Sequence, residues 1–230
     1  MDPLLGLRVA LSASIPPVRE LDEVGLTPED VAAAAGALAR SIVVAGGVVV
    51  FCGRLQPGGL TGVVVDEARR HANGRVALRL LVPELEYGRL SSVELQSLDA
   101  RLAPASELRL VSSRGEAVAP TQARFGGRNA DVAAELTALR RFAVAQTDAR
   151  IALGGACTGV AGAEPGIVEE ARLSLAAGAP VVALAGFGGA AADLGRWLRP
   201  DDHPRWRMVA GREPDVVATV AITALAALRR

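Results

Sequence analysis

Residues 149–171 read ARIALGGACTGVAGAEPGIVEEA. The apolar run Ile151-Ala152-Leu153 suits a buried strand, and Gly154-Gly155 breaks it. A loop of small residues follows, holding Thr158, Gly159 and Gly162, and order resumes at Pro165. Proline favours the first helical position, because its ring pre-sets φ and its missing N–H would be unpaired there. Ile167, Ala171 and Leu175 recur at helical spacing, and Gly178 with Pro180 closes the helix. The unit is strand, glycine-rich turn, helix. Such a turn lets backbone N–H groups approach a ligand, and the helix N-terminus behind it attracts anions.

Outward from this stretch the same unit recurs. Leu7–Ala13 reads as a first strand that ends at Ser12, Ser14 and the Pro16-Pro17 break. Thr27 and Pro28 start an alanine-rich helix that runs to about Ala45 and stops at Gly46-Gly47. Val48–Cys52 (VVVFC) is continuously apolar and β-branched, as a strand covered on both faces should be. It runs into a second glycine-rich turn with Gly53, Gly58, Gly59, Thr61 and Gly62, then a helix over Val63–Ala72. Ala77–Val82 and Leu108–Val111 are further strands, separated by a short helix at Ser91–Leu102. Ser112–Arg128 is irregular and carries Arg114, Arg124 and Arg128. A long helix capped by Asp131 then leads through Arg140 and Arg141 to the opening stretch. Val181–Ala185 is a strand ending in Gly186-Phe187-Gly188-Gly189, which feeds a helix over Ala190–Leu198. Trp206–Val209 is a candidate edge strand, and Pro214–Leu228 a terminal helix. Strands alternating with helices predict a single α/β domain over residues 1–230. Its expected form is a doubly wound, mostly parallel, Rossmann-like sheet in three layers (α/β/α). The turns that follow parallel strands share one sheet edge, where ligands bind.

Composition narrows the function. Half of the 230 residues are hydrophobic, enough for a substantial core. The 25 basic residues, all arginine, balance 25 acidic ones, so general nucleic-acid binding is not expected. Cys52 and Cys157 are too few for a disulfide framework or a cysteine-only metal site, and no metal or cofactor is expected. No secretory leader or spanning apolar run is evident, which predicts a cytoplasmic protein without membrane contact. The alanine-rich helix Asp30–Ala45 offers a surface for self-association, and a homodimer or higher homo-oligomer is expected.

With these residues in view, the chain resembles the SLOG superfamily, named for the SMF/DprA and LOG proteins, which are Rossmann-like nucleotide-ligand-binding domains. The first strand with Ser12 and Ser14 is similar to the family's opening strand and serine loop, and Gly53–Gly62 to its second glycine-rich turn. Thr137–Gly155 (TALRRFAVAQTDARIALGG) resembles the helix-strand-GG segment of the LOG phosphoribohydrolases, and Gly166-Ile167-Val168-Glu169-Glu170 the helix start after it. The resemblance implies a bound small-molecule nucleotide or nucleotide derivative. Its candidate contacts are Ser12, Ser14, Gly53, Gly58, Gly59, Thr61, Gly154, Gly155, Thr158, Gly159, Gly166, Glu169 and the turn Gly186, Phe187, Gly188, Gly189. Were the chain an enzyme, Glu170 would match the catalytic glutamate and Arg140 or Arg141 the catalytic arginine. The chain departs from the compact LOG pattern PGGxGTxxE. Leu153 stands in place of the proline, about ten residues separate Gly155 from Gly166, and Ile167 occupies the phosphate-binding threonine position. The longer loop and the GFGG turn are more similar to the sensor branches found with TIR or sirtuin effectors in bacterial defence. A nucleotide sensor is therefore expected ahead of a phosphoribohydrolase.

Overall fold

A computed structural model describes residues 2–53, 55, 59–120, 132–158, 164–198 and 204–228. It holds one eight-stranded sheet in the order β5-β4-β3-β2-β1-β6-β7-β8. The strands are β1 (Arg8–Ser14), β2 (Val48–Cys52), β3 (Leu78–Pro83), β4 (Ser106–Val111), β5 (Ala117–Val118), β6 (Ala149–Gly154), β7 (Val181–Leu184) and β8 (Trp206–Val209). All neighbours pair in parallel except β4 and β5. The short antiparallel β5 lies inside the segment that the sequence left irregular; Arg124 and Arg128, with Asp131, lie outside the described residues.

Strand alternation divides the core into two faces. Val9, Leu11, Val49, Phe51, Leu80, Ile151 and Leu184 point to one face, under α2 (Pro28–Val44), α3 (Leu60–His71) and α10 (Pro214–Leu228). Val50, Leu81, Ala152, Val181 and Ala183 point to the other, under α6 (Val132–Ala145), α7 (Gly166–Ala176) and α8 (Gly189–Ala192). The architecture is α/β/α, as expected.

Local chemistry sets the helix starts. Thr27 and Asp30 form a capping box ahead of α2, with Pro28 at its first position. Ser91 and Glu94 do the same for α5 (Ser92–Leu102). Two short helices escaped the sequence reading, α1 (Val18–Asp22) and α4 (Glu84–Tyr87), and the single helix expected over Ala190–Leu198 is split into α8 and α9 (Leu194–Trp197). Helices of one turn show too little periodicity to be recognised. The alanine-rich face of α2 is used inside the chain, buried against α3, α10 and the sheet, so it offers no free surface for a second copy.

The turn at Gly186–Gly189 is built by close packing. Phe187 is fully buried in the α2-side core. A Cβ at Gly186 would overlap the Gly211 carbonyl oxygen and stand 2.6 Å from that of Ala210. Gly186→Ala should therefore lower the unfolding free energy by about 1–3 kcal/mol, the usual cost of overpacking, measured by urea denaturation. A loss below about 0.5 kcal/mol, the range of neutral surface changes, would show that the segment yields.

Candidate functional site

β1 pairs with β2 on one side and β6 on the other, so successive crossovers diverge from it. A crevice opens at the carboxyl ends of strands at such a switch point. Here it is a cavity of about 700 Å³ that reaches between α6 and α7. Small-molecule sites have volumes of roughly 300–1,000 Å³. Its lining includes Ser12, Ser14, Gly53, Gly59, Thr61, Gly155 and Gly166, so four separate sequence segments meet in one place as expected. Arg140 from α6, Glu170 from α7 and Arg150 from β6 add charge.

The Gly154-Gly155 turn requires glycine. Both residues have positive φ, +64° and +87°. Gly155 N–H donates to the Ser14 carbonyl at 2.8 Å, and its own carbonyl accepts from Ala190 N–H at 2.8 Å. The turn is thus tied to the end of β1 on one side and to α8 on the other.

Pro165 sits at the N-cap of α7 with no side-chain cap, and Gly166 begins the helix. A Cβ at Gly166 would overlap Arg140 Nη2 and stand 3.0 Å from Cζ. Glycine here lets the Arg140 guanidinium lie across the helix start. A cation at the positive end of a helix needs carboxylates to hold it. Arg140 Nη1 donates to Glu169 Oε2 at 2.5 Å, and its Nε lies 3.7 Å from Glu170 Oε1.

The sequence reading passed over Arg150. Among the described residues it is the largest fully buried side chain, 1% exposed, in a strand buried at every position. Nε donates to Ser174 Oγ at 2.7 Å, and Nη1 donates to Glu170 Oε2 at 2.6 Å and to Ser12 Oγ. Ser12 Oγ in turn donates to Glu170 Oε2. Glu170 is therefore held by one arginine on each side and by a serine beneath. A lone charged residue inside an apolar strand was the available signal.

Other predicted residues fall around this centre. Arg141, one residue past Arg140 and about 100° round the helix, is exposed and off the lining. Thr158 is exposed and also off the lining. Gly154 and Glu169 stand behind the lining, Glu169 through its ion pair with Arg140. Gly186, Phe187, Gly188 and Gly189 do not line the cavity; of these, Gly189 packs on the Gly154-Gly155 turn, where a Cβ would stand 2.9 Å from the Gly154 carbonyl carbon, while Gly186 lies against Ala210 and Gly211 and Gly188 against Val24. Gly58 and Gly159 lie outside the described residues. Cys52 lines the cavity, and burial first, then the Glu170 charge, pushes its thiol up to about 12. A thiol raised in this way is disfavoured as a thiolate nucleophile. Among the described residues, no group of three His, Cys, Asp or Glu could hold a metal ion, and no helix is long and apolar enough to cross a membrane.

No curated protein matches the chain. Among solved structures, TM1055, a Northeast Structural Genomics Consortium target, aligns over 93% of this chain and 98% of its own. Its sequence identity is 15% and its TM-score 0.53, a likeness of fold. The molybdenum cofactor carrier protein MCP from Chlamydomonas reinhardtii aligns over 95% of this chain and 98% of its own, at 15% identity and a TM-score of 0.48. The family model of SLOG cluster2 matches residues 3–214. The chain is a member of the SLOG cluster2 family, within a superfamily of nucleotide-ligand-binding domains.

Proposed function

We propose that this chain is a sensor domain that binds a nucleotide-derived ligand without turning it over. The observation that carries the reading is the convergence of Arg140, Arg150, Glu170 and Ser12 on one cavity at the strand ends. The ligand's phosphate lies toward Arg140, Gly53, Gly59, Thr61 and the α7 N-terminus, where N–H groups and a guanidinium favour an anion. To take it, Arg140 exchanges a carboxylate oxygen for a phosphate oxygen. The family supports the ligand class, and the sensor role in nucleotide signalling or bacterial defence is the finer reading built on it.

Binding is favoured over hydrolysis by the state of Glu170. Cleaving an N-glycosidic bond calls for a carboxylate free to stabilise a developing ribosyl cation. Glu170 Oε2 already accepts from Arg150 and Ser12, and Oε1 faces Arg140, so two guanidiniums offset its charge and weaken it as a stabiliser of a cation, although it keeps lone pairs that can accept a hydroxyl. Ile167, without a hydroxyl, replaces a phosphate donor at the helix start.

One observation favours a second reading, a phosphoribohydrolase acting on nucleoside monophosphates: Arg140 and Glu170 stand 3.7 Å apart in the cavity, the pair that the LOG resemblance makes catalytic.

Calorimetry with AMP tests the arginine assignment. Arg140→Ala should weaken binding by about 1.5–3 kcal/mol, the range for a charged hydrogen bond, while Arg141→Ala leaves affinity unchanged. Equal and negligible effects from both would remove Arg140 from the site. Chromatography of long incubations with AMP separates the two readings. Neither the wild type nor Glu170→Gln should release free adenine. Release by the wild type that Glu170→Gln abolishes would establish the hydrolase instead, because charge stabilisation in the transition state is lost with little change in shape.

A further inference from the structure

A guanidinium has five N–H donors. For Arg150, one goes from Nε to Ser174, and Nη1 serves Glu170 and Ser12. Nη2 is buried and finds no acceptor among the described residues, although the side chain lines the cavity. A buried donor without a partner is uncommon in a folded protein and calls for a reason. The bonds from Nε and Nη1 position α7 and β1, but that structural role leaves Nη2 unexplained.

The ligand chemistry follows from what stands next to Nη2. The Glu170 carboxylate accepts from the adjacent Nη1 at 2.6 Å, so a phosphate at this spot would meet a like charge. A hydroxyl suits the pair: its oxygen accepts from a guanidinium N–H while its proton goes to a carboxylate. Two neighbouring hydroxyls use both partners together. We propose that Arg150, with Glu170, reads the vicinal diol of a ribose, making the cavity selective for ribonucleotides with free 2′- and 3′-hydroxyls. This rests on the nucleotide reading above and adds its specificity-determining residue. Arg140 takes the phosphate end, and Arg150 takes the sugar.

The test is calorimetric titration of AMP, 2′-deoxy-AMP and 3′-deoxy-AMP into the wild type and Arg150→Lys, with circular dichroism melting to verify the fold. Lysine keeps the positive charge beside Glu170 but loses the planar fork. The wild type should prefer AMP over at least one deoxy analogue by about tenfold or more, the scale of one lost hydrogen bond. In Arg150→Lys that preference should collapse to within about threefold, AMP falling toward the deoxy analogues. If Arg150→Lys does not fold, Arg150→Gln takes the same measurement. Equal wild-type affinities for the three nucleotides would overturn the proposal. So would a variant that loses affinity for all three in parallel, since that is the mark of a structural role. A wild type that binds none of them at millimolar concentration would fail differently, overturning the nucleotide reading itself.

Discussion

A guanidinium enclosed in a parallel sheet has to be neutralised where it stands, because an unpaired charge there is prohibitively costly. Arg150 is enclosed in this way on β6, and the carboxylate that meets it comes from α7, the helix that follows the same strand. Ser174, one turn beyond Glu170 on that helix, meets Nε of the same guanidinium. Two hydrogen-bonded positions one turn apart fix the rotation of α7 as well as its distance from the sheet. Ser12 then ties β1 into the network.

With α7 set by this pair, its N-terminus faces the end of β1 and the turn after β2. Gly166 leaves space for Arg140 to cross from α6, so the cleft between the two helices is closed at one level by Arg140 and at a deeper one by Arg150. Arg140 and Arg150 are set against three carboxylates, Glu86, Glu169 and Glu170, so the site holds no excess positive charge as it stands. A phosphate gains from it only by drawing Arg140 away from a glutamate, whereas sugar hydroxyls fit without displacing an ion pair. Affinity for the anion and selectivity for the sugar thus reside in different arginines. A neighbouring pocket of about 360 Å³ shares Pro83, Glu86 and Leu136 with the main cavity and gives the cleft a second chamber.

The fold was largely legible because each strand carries an unambiguous signal. VVVFC could only be a strand covered on both faces, and it occupies the span read for it, Val48–Cys52. The Thr27-Pro28 and Pro214 starts likewise mark real helices. Glycine was a weaker guide. At Gly154-Gly155 it marks a turn with positive φ beside the cavity, but at Gly186 and Gly189 the same residue answers crowding by neighbouring backbone. A sequence shows that a Cβ is missing without showing what would have struck it. The arginine pair had an analogous ambiguity, settled by helix phase: Arg140 faces α7 and Arg141 faces solvent. Arg150 was missed because its surroundings are apolar in sequence, and its partners lie 138, 20 and 24 positions away.

A crystal structure of the protein soaked with AMP tests the central claim most directly. The phosphate should lie against Arg140, Gly53, Gly59 and Thr61, with the ribose hydroxyls at Arg150 and Glu170. AMP seated instead among Leu85, Arg89 and Leu90, or against the Gly186–Gly189 turn, would contradict it.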